Sequence, residues 1–147
     1  MESKGNINEI KLRLIVTNVS QDPDVLTKTL GITPSKIWRK GDAISAHQSR
    51  VHEENGWLLD APGSPHAPME KQLEAMLHII EPRVEAFGKL PAGSEVELSC
   101  VVYEDEEDDR PCIEFSVKAV NLLARIGGLI YFPAHCRGVL LRCCSIW

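Results

Sequence analysis

The chain reads as an α+β domain, an antiparallel or mixed sheet with helices on one face in the ferredoxin-like style. Three observations carry that expectation. Two runs alternate apolar and polar residues over strand-like lengths, one around Ile10–Val16 and one around Val96–Val102. A long amphipathic stripe from Met69 to Phe87 repeats at spacings of three and four, the period of a helix. The order of elements is strand, helix, strand, strand, helix, strand, strand, helix, strand.

Ile10, Leu12, Leu14 and Val16 alternate with Lys11, Arg13, Ile15 and Thr17, as in a strand with one buried face. Asp22 then stands where a helix cap is needed, Pro23 suits the first turn and Gly31 supplies the stop. That short helix is expected to bury Val25, Leu26 and Leu30. Lys36 to Lys40 reads as a strand ended by Gly41-Asp42, and Trp57 to Leu59 as another, with the polar stretch from Ala43 to Asn55 as a long loop between them.

Met69, Leu73, Met76, Leu77, Ile80, Val84 and Phe87 form the apolar face of the long helix, about six turns by its residue count. Pro82 has no N–H to offer the carbonyl of His78, which predicts a kink. Val96 to Val102 and Ile113 to Val117 are expected to pair as a hairpin with the acidic run at its tip. Ala119, Leu122, Leu123 and Ile126 mark a last helix stopped by Gly127-Gly128, and Leu129 to Phe132 a last strand. The organisation is an extension over residues 1–9, one domain over 10–132, and an atypical tail over 133–147.

With 147 residues, the chain is long enough to bury a core without metal or disulfide staples. The absence of a run of roughly 20 apolar residues or an export leader leads to the expectation of a soluble cytoplasmic protein with no membrane partner. Its 5 cysteines are odd in number and form no Cys-x-x-Cys pair, a pattern that suits reduced thiols. The net charge of -5 is concentrated in Glu104, Asp105, Glu106, Glu107, Asp108 and Asp109, without which the chain stands at +1. So even a balance has no broad basic face, which argues against a nucleic-acid partner.

The ordered landmarks Asp22-Pro23-Asp24, Leu30-Gly31-Ile32-Thr33-Pro34, Trp38-Arg39-Lys40-Gly41-Asp42, the Trp57 strand, the long helix with Pro82, and Val96-Glu97-Leu98-Ser99-Cys100 resemble those of a bacterial family, domain of unknown function family 4279. The resemblance spans residues 10–132. It implies the fold and no particular chemistry. After Phe132 the sequence departs from the family pattern, and that ending suggests a mobile integron cassette as its origin.

No catalytic or cofactor motif is complete, so no catalytic residue, cofactor or metal is assigned. Trp38 and Trp57, with Arg39, Lys40 and Asp42, are the candidate ligand-binding residues, as pocket walls with charge at the mouth. The plainer role for both tryptophans is core packing. His47, His52 and His66 lie in loops at spacings that match no ordinary zinc site. His135, Cys136, Cys143 and Cys144 lack a recognisable site pattern. The six acidic residues from Glu104 to Asp109 are the candidate surface for a basic protein partner, against the plainer reading of a solvated tip. The apolar ending, Val139-Leu140-Leu141 and Ile146-Trp147, is costly to expose and either folds back on its own sheet or packs on a second chain, so a homodimer is expected. The functional expectation is a non-catalytic binding or interaction module, immunity or inhibitor-like through its acidic loop. The alternative is a small-ligand-binding protein or enzyme with a pocket near Trp38, Arg39, Asp42 and Trp57.

Overall fold

The computed structural model describes residues 9–47, 49–103, 112–132 and 140–143. The strands are β1 (Glu9–Val19), β2 (Lys36–Trp38), β3 (Asn55–Asp60), β4 (Glu95–Tyr103), β5 (Cys112–Phe115), β6 (Gly128–Tyr131) and β7 (Leu140–Cys143). The helices are α1 (Pro23–Leu30), α2 (Met69–Ile80), α3 (Val84–Phe87) and α4 (Val117–Arg125).

β1 lies in the middle of a five-stranded sheet of order β2-β3-β1-β4-β6. It pairs antiparallel with β3 and β4, and β2 pairs antiparallel with β3. The succession β1-α1-β2-β3-α2-β4 with that strand order is the split βαβ arrangement of the ferredoxin-like style. α4 then carries the chain back so that β6 joins parallel to β4, making the sheet mixed.

The alternation in β1 sorts its side chains as the sequence predicts. Ile10, Leu12, Leu14 and Val16 are buried, and they share one core cluster with Leu26 and Leu30 of α1, Met76 and Ile80 of α2, and Leu122 and Leu123 of α4. The helices therefore cover one face. α1 is capped by Asp22, whose Oδ1 accepts the Asp24 N–H at 2.9 Å, and closed by Gly31 at φ 66°. Val25 is not buried with its neighbours but stands exposed on α1.

The long helix is broken where Pro82 lacks its N–H. Residues Glu81–Arg83 tighten into a 3-10 turn between α2 and α3, and Arg83 Nη1 donates to the Ile79 carbonyl at 2.8 Å. The expected pairing of the runs on either side of the acidic stretch is not formed. β4 has β1 and β6 as its sheet neighbours, while β5 pairs parallel with β7 in a separate two-stranded sheet. Val117 belongs to α4 instead of a strand, because the Ser116 hydroxyl caps the helix by accepting the Ala119 N–H at 3.2 Å.

Candidate functional site

The segment Trp38 to Asp42 is a strand end followed by a tight turn. Asp42 donates its backbone N–H to the Arg39 carbonyl at 2.9 Å, and its Oδ2 accepts the Arg39 backbone N–H at 2.8 Å. Gly41 sits at φ 94°, the left-handed position that a type II turn places third. This turn stops β2 at Trp38, two residues before the sequence expectation.

The side chain of Arg39 is committed within the fold. Its guanidinium donates to both oxygens of Asp22, at 2.8 and 3.0 Å, and to Asp24 Oδ2 at 3.0 Å. A planar fork on a carboxylate is the strong geometry for such a pair, and here it ties the turn to the N-terminus of α1. The hydrogen bond from Arg39, followed by that from the Asp24 backbone, holds Asp22 below its usual 3.8. Lys40 points to solvent and donates its backbone N–H to Asn55 Oδ1 at 2.9 Å. Asn55 Nδ2 in turn donates to the carbonyls of Val19 and Gln21. One side chain thus joins β1, the start of α1 and the turn.

Trp38 and Trp57 fall on opposite faces of the sheet. Trp57 is 0% exposed on the helix side, where its indole N–H donates to Thr27 Oγ1 of α1 at 3.2 Å. Trp38 pairs in register with Gly56, and its ring lies over that glycine so closely that any side chain there would overlap it. The structure therefore does not bring the sequence-predicted ligand residues together: Trp57 is core, Arg39 and Asp42 hold the turn, Lys40 points to solvent, and Trp38 lies on the face without helices.

What Trp38 meets is His52, stacked on it with ring centroids 5.0 Å apart and planes 23° from parallel. The stretch 43–55 is the long loop expected before β3, and its described residues are braced by backbone bonds. Ala43 bridges Val51 antiparallel, Ile44 N–H donates to the Arg50 carbonyl, and two further bonds link Gly41 to His52 and His52 to Asp42. This arm and Trp38 border a groove of about 770 Å³, lined also by Asn18, Ile44, Arg50, Val51, Glu53 and Glu54. Ile44 and Val51 are 43% and 50% exposed, so the groove is open rather than enclosed.

Asn18 stands at a break in the β1–β3 register between Val16 and Val19, with φ 55°. Asparagine tolerates that left-handed conformation, and its Nδ2 donates to the Gly93 carbonyl at 3.1 Å. The irregular end of the central strand is thereby aimed at the groove. Sequence reasoning missed Asn18, Ile44, Arg50 and Val51, and placed His52 only as a loop histidine. The available signal was Gly56 one residue before Trp57, a gap in a strand where an aromatic ring can lie.

Glu104 to Asp109, together with His135 and Cys136, lie outside the described residues. Among the described residues, no group of three or more His, Cys, Asp or Glu side chains is placed to hold a metal ion, and no helix is long and apolar enough to cross a membrane. A second cleft of about 400 Å³ between α2 and α4 is lined by Glu70, Glu74, Glu81 and Glu114, with Lys118 paired to Glu81 at 3.1 Å.

A ferredoxin-like α+β sheet, helix-covered on one face and with an open groove at one end of the other, is the class of protein that these elements build. Within it, the chain belongs to the family described as Domain of unknown function (DUF4279), whose model matches residues 8–136. The match reaches four residues past Phe132, into the segment read from sequence as tail. No curated protein and no solved structure matches the chain.

Proposed function

We propose that the protein is a non-catalytic binding module that docks a partner protein in the groove beside Trp38 and His52. The observation that supports this reading is the groove itself: an aromatic anchor on a bare glycine, apolar Ile44 and Val51 exposed beside it, and Arg50, Glu53 and Glu54 at the rim. An aromatic anchor and apolar side chains inside a polar rim are the arrangement of an interface core. Small-molecule sites enclose most of their ligand, and this groove is too open for that. Arg39 and Asp42, the charges assigned to a pocket mouth, are already committed to the turn and α1. On this reading the protein works in the cytoplasm of a bacterium, with a mobile integron cassette as its origin.

The acidic run supports a second reading, in which Glu104 to Asp109 meet a basic partner in an immunity or inhibitor-like role. Six adjacent carboxylates steer a basic surface at low salt. The two readings separate by experiment. A photo-crosslinking residue placed at Val51 in the source cell is expected to trap one discrete partner band that a residue at Val25, exposed on α1, does not trap. Equal capture from both positions would remove the groove as a recognition surface. If capture at position 51 is lost only when four acidic residues are neutralised, the acidic run is the surface that matters.

A further inference from the structure

The last crossover, α4 to β6, carries half of the exposed large hydrophobic residues among those described. Leu129, Ile130 and Tyr131 are 50%, 37% and 47% exposed, and Val120 on α4 is exposed as well. β6 is an edge strand, with β4 as its partner on one side and no described strand on the other. Its register with β4 puts Ile130 level with Leu98 on the helix side, and Leu129 and Tyr131 level with Glu97 and Ser99 on the open face. It is thus apolar on both faces and has no charge along its length. The opposite edge, β2, has only three residues and begins with an exposed lysine, a common guard against edge pairing.

The charges of α4 are turned away from this edge. Lys118 reaches Glu81 at the end of α2, which fixes the flank of α4 that faces the middle of the molecule. At 100° per residue, Val120 and Ala124 lie about 200° and 240° around the helix from Lys118, on the outer flank above β6. Arg125 falls next to Lys118 on the inner side by the same count. The outer edge is therefore an uncharged strip in two layers, helix above strand. A second copy of the same edge meets it with no like charges opposed.

We propose that two copies of this chain pair through the α4–β6 edge, with β6 antiparallel to its copy about a two-fold axis perpendicular to the sheet. Such an axis keeps each face on its own side. Because side chains alternate, opposed residues must then differ by an even number in sequence. Centring the pair on Ile130 sets Ile130 against Ile130 of the second copy under the two α4 flanks, and Leu129 against the second copy's Tyr131 on the open face. The sheet becomes ten-stranded and the exposed strip is covered. A four-residue strand pair alone falls short of the roughly 800 Å² per partner of a standard interface, so the α4 flanks carry part of the contact. This pairing does not depend on the groove reading and leaves the groove, at the β2 end of the sheet, open.

Sedimentation under reducing conditions, which removes any disulfide link between chains, tests the pairing. The full chain is expected to sediment as a dimer whose population rises with concentration by mass action. Val120→Glu and Ile130→Lys should each weaken the dimer at least about tenfold, as truncated hot spots do. Val120 and Ile130 are 36% and 37% exposed, so each charge should lower the urea midpoint somewhat, and circular dichroism of a folded monomer separates loss of the dimer from unfolding. Val25→Glu, on α1, should leave the dimer intact. A parent chain that stays monomeric, or a dimer that survives Val120→Glu and Ile130→Lys, overturns the proposal. The crosslink at Val51 is unaffected by either outcome.

Discussion

Replacing Trp57 and Trp38 by alanine, one at a time, separates core from surface. Trp57 is fully buried and bonded to Thr27. An aromatic side chain of this kind buries about 150–250 Å², which at about 25 cal/mol per Å² is worth roughly 4–6 kcal/mol as an upper bound. Partial collapse of the cavity brings the expected loss to about 3–5 kcal/mol, the range found for buried tryptophan truncations. Against a total stability of about 5–15 kcal/mol, that leaves a marginal fold. Trp38 is half-buried and has one face on Gly56 and another on His52, so half of that burial, about 2–3 kcal/mol, plus a stacking contribution below about 1.5 kcal/mol puts its loss at about 2–4 kcal/mol. Urea unfolding followed by far-ultraviolet circular dichroism gives both values. A larger loss for Trp38 than for Trp57 would refute the placement of Trp57 in the core and Trp38 at the surface.

Three further outcomes follow from the same contacts. Ile80→Ala on α2, at a fully buried position, should cost about 2–5 kcal/mol in the same assay, and a loss below about 1 kcal/mol would mean that this face of α2 is not in the core. Asn55→Ala removes three hydrogen bonds to backbone groups of Lys40, Val19 and Gln21 and should cost about 2 kcal/mol, more than an ordinary loop substitution; a cost within about 0.5 kcal/mol would contradict the joint assigned to it. Asp22 titrates below its usual 3.8 when folded, so its contribution is complete above that value and is lost as the pH falls through the lower folded pKa. Asp22→Asn keeps a capping oxygen but not the charge, so its urea midpoint should fall less steeply than the parent's below about pH 4; parallel profiles would show that the Arg39 pair adds nothing, as exposed pairs can.

The parts of the fold legible in the sequence are those set by local chemistry. Asp22 and Gly31 bound α1 because a cap oxygen and a left-handed glycine act within one turn, and the β1 alternation reports its buried face directly. Pro82 likewise marks the 3-10 turn. The errors come from partners distant in sequence. Nothing near Val96 says that its strand will take β6 as a parallel neighbour instead of the next strand along, since sequential runs joined by a polar loop are the usual signature of a hairpin. The side chains of the candidate site are set apart for the same reason. Trp38 and Trp57 share a residue type and neighbouring strands, but register, not composition, decides the face, and a shift of one position reverses it. Arg39 resembled a charge at a pocket mouth because its carboxylate partners lie seventeen and fifteen residues away on another element.

The groove reading assigns partner recognition to Trp38 and leaves the Arg39 to Asp42 turn to the fold. Crosslinking from Val51, repeated in chains bearing Trp38→Ala or Arg39→Gln, tests it most directly, with circular dichroism confirming that both variants are folded. Trp38→Ala is expected to abolish the partner band and Arg39→Gln to retain it. Loss of the band with Arg39→Gln, and its persistence with Trp38→Ala, would contradict the account and return the binding role to the charged turn.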